Sequence, residues 1–207
     1  MPFETWVRFV AFWILFVTTP GPNAVNCITN GQAFGFWRSL PGVAAILAQA
    51  TLFLTLGATG VAGLLLAAPQ ALVGLQIAGA AVLIWFGVRG WHRAKSAISQ
   101  PAPPDPNRMF WTGFAIATFN PKSIAGYLAG MSQFLTHDLP LGAQLMAFYP
   151  TALLCTTLSY CGYTYLGARL GRSAMGAIGN QRLRQGLATC LGLYGVGLLG
   201  LAIQALL

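Results

Sequence analysis

Long, continuous apolar runs are the feature that most limits what this chain can fold into. Only 7% of its 207 residues are charged, whereas a soluble domain carries about 25% charged residues to keep its surface wetted. This composition excludes a soluble enzyme or binding module. A transmembrane β-barrel is also excluded, because its strands would alternate apolar and polar residues. The sequence therefore predicts an all-α integral membrane protein.

Six apolar segments are long enough to cross the bilayer, because a helix rises about 1.5 Å per residue and the hydrocarbon core is about 30 Å thick. Turn-forming breaks separate them, at Ala68-Pro69, at the Pro-rich stretch 101–106 and at Asp138-Leu139-Pro140. We therefore predict a single membrane domain, residues 1–207, with six transmembrane helices. The predicted spans are 3–35, 40–66, 71–90, 109–135, 142–166 and 186–206.

The Pro-rich stretch divides the chain into two similar halves. Residues 1–95 are predicted to form a first three-helix repeat, residues 96–108 a cytoplasmic loop, and residues 109–207 a second three-helix repeat. Because each half has an odd number of spans, the second half enters the membrane from the opposite side to the first. The halves would therefore form an inverted repeat, as in many secondary transporters. Prolines interrupt the first span at Thr18–Asn23 and the fourth at Thr118–Lys122. We therefore expect the first and fourth helices to be broken at these proline motifs.

The basic residues cluster in short loops between the apolar runs. The formal net charge is +8, but the clusters form no continuous basic face, so we expect no nucleic-acid partner. Nine of the eleven Lys and Arg residues fall on one side if the Pro-rich loop is cytoplasmic, which predicts that both termini lie outside. No basic region precedes the first apolar run and no small-residue cleavage site follows it, so we expect that span to remain in the protein.

Lys122 is a charge near the middle of the predicted fourth span. It lies 14 residues after Arg108 and 15 residues before His137. A charge at the bilayer midplane costs at least about 2.5–3.5 kcal/mol, and such residues are usually functional. A functional role is therefore favoured, and a structural lysine that caps backbone carbonyls is the alternative.

Both interruptions carry residues that start helices. Asn120 is a favoured N-cap and Pro121 a favoured first helical residue, and Gly21-Pro22 or Thr19-Pro20 offers the same arrangement in the first span. Each restart directs free N–H groups and a positive dipole end into the break. Together with Lys122, the two helix starts predict a site for an anion such as a substrate carboxylate. The alternative is a pair of proline kinks that only shape the bundle.

Polar residues follow helical spacing on the predicted spans beside these breaks. Asn23, Asn26 and Asn30 share one face of the first span, and Tyr160 and Tyr163 lie on the fifth. Such stripes are typical of a wetted cavity and equally of interhelical hydrogen bonds. The predicted substrate-binding residues are Pro20, Gly21, Pro22, Asn23, Asn120, Pro121 and Lys122, with Asn26, Tyr160 and Tyr163 as weaker candidates for cavity lining.

The predicted spans hold no combination of residues suited to catalysis or metal binding. The three carboxylates, Glu4, Asp105 and Asp138, all lie in terminal or loop positions, so no acid pair is available for hydrolysis. His92 and His137 have no second ligand type at metal spacing. We therefore predict no enzyme activity, no catalytic residue, no metal site and no cofactor.

Three blocks of the sequence resemble the LysE/RhtB family of amino-acid exporters. They are Pro20-Gly21-Pro22-Asn23, residues 77–87, and Phe110-x-x-Gly113 followed by Asn120-Pro121-Lys122 and Gln133-Phe134. The resemblance implies six spans, a bacterial inner-membrane location, and export of amino acids or related small metabolites driven by the proton gradient or the membrane potential. It also implies that the Pro-Gly-Pro-Asn and Asn-Pro-Lys breaks matter for transport.

One departure from the family concerns the second span. Many members carry a pattern like Gly-x-x-x-Gly-Asp there, whereas this chain reads from Gly42 to Gln49 without an acidic residue. No carboxylate lies in the interior of a predicted span, so a carboxylate proton relay is in doubt and the coupling ion is open. Our hypothesis is that Lys122 itself exchanges a proton, or that substrate binding competes with its protonation.

The sequence thus predicts a secondary transporter that works by alternating access, with a small-molecule substrate and the lipid bilayer as partners. It leaves a homo-oligomer open. Two alternatives remain: a non-transporting membrane scaffold that assembles through its GxxxG faces, and a passive channel for small polar solutes. Lys122 argues against the scaffold, because helix packing gains nothing from a charge in hydrocarbon.

Overall fold

The structure, a computed structural model, describes residues 3–58, 69–95, 105–120, 122–124, 126–127, 134, 139–172 and 177–204. Within these ranges every regular element is a helix and none is a strand. The α-helices are α1 (Phe3–Thr18), α2 (Pro22–Phe34), α3 (Leu40–Ala58), α4 (Pro69–Lys95), α5 (Pro106–Thr118), α6 (Leu141–Arg172) and α7 (Ala177–Gln204). A short 3-10 helix, Trp37–Ser39, joins α2 to α3.

Three helices of the described chain are long and apolar enough to cross a membrane. They cover Trp37–Ala58, Leu141–Leu170 and Gln185–Gln204. The first predicted span is divided into α1 and α2, of 16 and 13 residues, and each piece is shorter than the roughly 20 residues that a crossing helix needs. The chain is therefore an all-helical membrane protein, and the count of six spans remains a prediction. The predicted loop 96–108 lies largely outside the described residues.

The chain leaves the helix between Thr18 and Pro22. Pro20 and Pro22 have no backbone N–H, so neither can continue the helical hydrogen bonding of α1. Gly21, in extended conformation, is the N-cap of α2, and Pro22 occupies its first turn. Later in the chain, α5 ends at Thr118, and residues 122–124 are helical again.

The segments around these two interruptions run in opposite directions past each other. Successive residues of the later segment contact successively earlier residues of the first: Gly113 lies near Asn26, Lys122 near Gly21, Gly126 near Phe16 and Phe134 near Phe9. The two interruptions are therefore adjacent in space, and each of them lies near the middle of its segment.

An aromatic core fills the α1 half of the bundle. Phe9, Trp13 and Phe148 are fully buried, and Tyr127 packs edge-on against Trp13 with ring centroids 5.2 Å apart. The Trp13 indole also donates a buried hydrogen bond of 3.1 Å to Thr156 on α6. Because this hydrogen bond satisfies the polar edge of Trp13, the ring can stay in the core without cost.

Helices α2 and α6 pack so closely that only glycine fits at their contact. A Cβ added to Gly31 would lie 2.1 Å from the Thr164 carbonyl oxygen, and one added to Gly167 would lie 2.2 Å from that of Ile28. Small residues allow helix backbones to approach in this way in membranes. The α2–α6 contact holds α2 in register beside the first interruption.

We predict that Gly167→Ala destabilises the protein, because its methyl group would collide with the Ile28 backbone of α2. The expected loss is about 1–3 kcal/mol, as for other overpacked cores. Thermal unfolding of the detergent-solubilised protein measures it. Gly162→Ala on the same helix is the matched control, because a Cβ at Gly162 meets no atom within 4 Å. Equal melting curves for the two variants would contradict the prediction.

Candidate functional site

The first interruption leaves a row of four backbone carbonyls, those of Val17, Thr18, Thr19 and Pro20, which we call the carbonyl row. A helix end frees its last carbonyls, and in hydrocarbon they need other donors. Side chains from elsewhere in the chain supply them. Ser159 Oγ donates to Val17 at 2.9 Å, Tyr163 OH to Thr18 at 2.5 Å, Lys122 Nζ to Thr19, and Tyr194 OH to Pro20 at 2.9 Å.

Lys122 connects the two interruptions. Its ammonium donates to Thr19 and lies 5.2 Å from the centre of the Phe16 ring, and its Cδ lies 3.5 Å from where a Cβ at Gly21 would be. A cation is favoured here, because the C-terminus of α1 carries partial negative charge. In this conformation Lys122 therefore makes the carbonyl-capping contact of the structural alternative.

Asn120 starts the helical turn at the second interruption. Its Oδ1 accepts the backbone N–H of Lys122 at 3.1 Å, and its carbonyl accepts the N–H of Ile124 at 3.0 Å. These are the hydrogen bonds of an N-cap residue. Asn120 is 1% exposed, so its side chain is held inside the bundle. The predicted site residue Pro121 lies outside the described residues.

Several buried polar atoms near the interruptions lack a hydrogen-bond partner in the described part of the chain. They include Oδ1 of Asn23, Nδ2 of Asn26, and both side-chain polar atoms of Gln49. Asn23 and Gln49 are 2% and 0% exposed. Unsatisfied buried polar groups are rare, because each one costs about 1–3 kcal/mol. Their presence indicates where water or a polar ligand would be bound.

A polar cavity of about 430 Å³ opens among α2, α4, α5 and α7. It extends from Phe34 at the end of α2 to Val25 in the first turn of that helix, so its inner end lies beside the first interruption. Cavities that hold small molecules are about 300–1,000 Å³ in volume. The polar side chains in its wall are Asn26, Thr29, Asn30, Arg89, Arg108 and Thr112.

The structure separates the predicted site residues into three groups. Gly21, Asn120 and Lys122 meet where the interruptions touch, and the carbonyl of Pro20 belongs to the carbonyl row. Pro22 is buried at the start of α2. Asn26 lines the cavity.

The two tyrosines lie at different places. Tyr160 lies beside Asn23 in the core next to α2. Tyr163 caps the carbonyl row, away from the cavity.

Sequence reasoning missed four polar residues of this region. Ser159 and Tyr194 cap the carbonyl row, and no local pattern distinguishes them from other polar residues on apolar helices. Arg89 and Arg108 line the cavity, although their positions near span ends suggested only a role in topology. They are 19 positions apart in the sequence, so no local pattern predicts that they line the same cavity.

Apolar helices that are long enough to cross a membrane, packed around a cavity with polar side chains, are typical of helical membrane translocators. The chain belongs to the LysE type translocator family, whose model matches residues 14–207. This match confirms the family resemblance predicted from the three sequence blocks.

Curated relatives support this assignment. A homoserine/homoserine lactone efflux protein of Salmonella typhimurium is 28% identical over 173 residues, 82% of this chain and 84% of that protein. A cysteine/O-acetylserine efflux protein of Escherichia coli is 29% identical over 60% of this chain and 64% of that protein. A chemotactic transduction protein of Pseudomonas aeruginosa is 30% identical over 72% of this chain and 75% of that protein. No solved structure matches the chain.

We predict that Tyr163→Phe destabilises the protein, because it leaves the Thr18 carbonyl without its 2.5 Å donor. The expected loss is about 1 kcal/mol, the net contribution of a typical hydrogen bond. Thermal unfolding in detergent checks it. The matched control is Tyr165→Phe on the same helix, since the Tyr165 hydroxyl bonds to the Arg169 side chain of its own helix and not to the backbone of α1. If both variants unfold at the wild-type temperature, the Tyr163 hydrogen bond contributes nothing.

Proposed function

We propose that this protein is a secondary transporter that exports amino acids or related small metabolites across the bacterial inner membrane by alternating access. The substrate site is at the interruptions, formed by Pro20, Gly21, Pro22, Asn23, Asn120, Pro121 and Lys122, with Asn26, Tyr160 and Tyr163 around it. One observation carries the proposal. A cavity with polar side chains in its wall ends at Val25, one helical turn from the first interruption on the α2 side, and four side-chain hydrogen bonds hold the carbonyl row on the α1 side.

This asymmetry is what alternating access requires in one of its two states. The cavity follows α2 from Phe34 inward to Val25, whereas Ser159, Tyr163, Lys122 and Tyr194 tie α6, α7 and the second interruption to the end of α1. Arg89 and Arg108 lie on the cavity side. Because basic residues favour the cytoplasm, we assign this side to the cytoplasm, which places both termini outside. The conformation is then inward-facing, ready to accept a cytoplasmic substrate.

The antiparallel crossing of the two interrupted segments supports an inverted repeat. Transporters of that architecture bind substrate near the midplane, between discontinuous helices from the two repeats. Here Gly21 and Asn120 each begin a new helical stretch, and Lys122 lies against Gly21. We infer two three-helix repeats, residues 1–95 and 109–207, related in this way.

The names of two relatives support the substrate class. One is an efflux protein for homoserine and homoserine lactone, and another for cysteine and O-acetylserine. Each name describes export of an amino acid or a close derivative. A cavity walled by asparagine, threonine and arginine side chains suits compounds of that size and polarity.

A scaffold remains the alternative from a different class, since one relative is named as a chemotactic transduction protein. A passive channel is the second alternative. Counterflow distinguishes all three, because only a carrier exchanges labelled for unlabelled substrate with saturation.

The proposal is tested by counterflow in proteoliposomes preloaded in turn with each amino acid and with homoserine and O-acetylserine. We expect saturable exchange for at least one of them. Asn23→Ala should reduce it about tenfold, because the loss of one hydrogen bond to the substrate corresponds to about 1 kcal/mol or more. Asn107→Ala is the matched control, because Asn107 is exposed in the first turn of α5.

The outcomes separate the alternatives. Exchange with no compound, from protein shown to be folded, would contradict the transporter and favour the scaffold. Flux without saturation or counterflow would favour the channel. Full activity of Asn23→Ala would keep the transporter and remove Asn23 from its site.

We also predict that Lys122→Gln uncouples transport from the pH gradient. If Lys122 carries the exchanged proton, its neutral amide replacement cannot, whereas counterflow without a gradient should remain measurable at a reduced rate, because the other site residues are unchanged. Uptake into proteoliposomes with and without an imposed pH gradient measures the coupling, and the retained counterflow shows that the variant is folded. A variant that keeps its full dependence on the gradient would exclude Lys122 as the proton carrier.

A further inference from the structure

The cavity contains two guanidinium groups without an acidic partner. Arg89 comes from α4 and Arg108 from α5, and no carboxylate lies among the residues of the cavity wall. The described carboxylates are engaged elsewhere: Glu4 pairs with Arg8, and Asp105 caps the backbone N–H groups of Asn107 and Arg108. Among the described residues the cavity wall therefore carries positive charge and no carboxylate to balance it.

Arg89 is oriented for binding before a ligand arrives. Its guanidinium lies over the ring of Trp85, 5.0 Å from the centroid, and Trp85 also lines the cavity. A cation–π contact of this kind restricts where the guanidinium can lie, and a guanidinium can bind a carboxylate through two N–H groups. A restricted side chain loses less entropy on binding.

Arg108 adds a second donor from another helix. It lies in the first turn of α5, whose N-terminal N–H groups are capped by Asp105, so the guanidinium of Arg108 is the positive group that this turn offers to the cavity. Lys122 does not compete for a ligand in this cavity, because its ammonium is bonded to Thr19 on the α1 side of the interruption.

We propose that Arg89 and Arg108 bind the carboxylate of the substrate at the cytoplasmic entrance, and that the transporter thereby selects carboxylate-bearing metabolites of neutral or negative charge. This inference rests on the proposed function. Asn26, Asn30 and Thr112 supply neutral donors and acceptors for the remaining polar groups. A cationic compound such as lysine is disfavoured, because two uncompensated guanidinium groups repel its side chain.

The test uses L-homoserine and L-homoserine lactone, in which ring closure removes the carboxylate together with the side-chain hydroxyl. We measure stabilisation of the detergent-solubilised protein over a range of ligand concentration, and counterflow under the same conditions. Arg89→Gln and Arg108→Gln should each weaken homoserine binding about tenfold, the effect of losing a charged hydrogen bond, and should not weaken binding of the lactone, which has no carboxylate for the arginines to hold. Arg38→Gln is the matched control, because Arg38 is exposed in the 3-10 turn and does not line the cavity. Arg89→Lys, which keeps the charge but not the fork, should bind with intermediate affinity.

Each outcome decides between the two proposals. Wild-type homoserine affinity in both glutamine variants would overturn the arginine assignment, and so would a wild type that homoserine does not stabilise or that the lactone stabilises equally. A wild type that homoserine stabilises but that exchanges no compound would refute the proposed function. The effect of the two glutamine variants on homoserine binding would then decide the arginine assignment by itself.

Discussion

The capping of the carbonyl row is the constraint on which the rest of the structure depends. Within hydrocarbon every backbone polar group needs a partner, and the break at Pro20 and Pro22 leaves four carbonyls without the N–H donors that a continuous helix would supply. Ser159, Tyr163, Lys122 and Tyr194 donate to these four carbonyls instead. Because these donors come from α6, α7 and the second interruption, satisfying one helix end fixes the relative positions of three other parts of the bundle.

The same four hydrogen bonds separate the two sides of the bundle. Side-chain donors rotate about single bonds, so they can exchange partners without breaking a helix, whereas backbone hydrogen bonds within a helix cannot. On the α2 side of the carbonyl row, Asn23 and Asn26 have buried polar atoms without a hydrogen-bond partner among the described residues, and such atoms are free to bind a polar group. A firmly capped end of α1 and an unsatisfied start of α2 thus lie on opposite sides of Gly21.

The residues that start helices could be predicted from the sequence, whereas contacts between residues far apart in the chain could not. The cap-and-proline pattern predicts that helices start at Gly21 and Asn120, because an N-cap depends on only a few neighbouring residues. The family also follows from short blocks. By contrast, the contact of Lys122 with Thr19 joins residues 103 positions apart, and the shared wall of Arg89 and Arg108 arises from packing. The position of Lys122 in the middle of a predicted span singled it out as a candidate but left its bonding partner open.

The interior cations differ in the groups that compensate their positive charge. This difference determines which of them an anion can bind without displacing an existing contact. Lys122 faces the partially negative end of α1 and an aromatic ring, so an anion would have to displace a favourable contact to reach it. Arg89 and Arg108 face no described carboxylate across the cavity, so an anion binds them without such a loss. An anion that moved from the arginines to Lys122 would compete with the Thr19 carbonyl for the ammonium and remove one of the four donors that close the α1 side. Arrival of the substrate and opening of that side would then be linked through a single hydrogen bond.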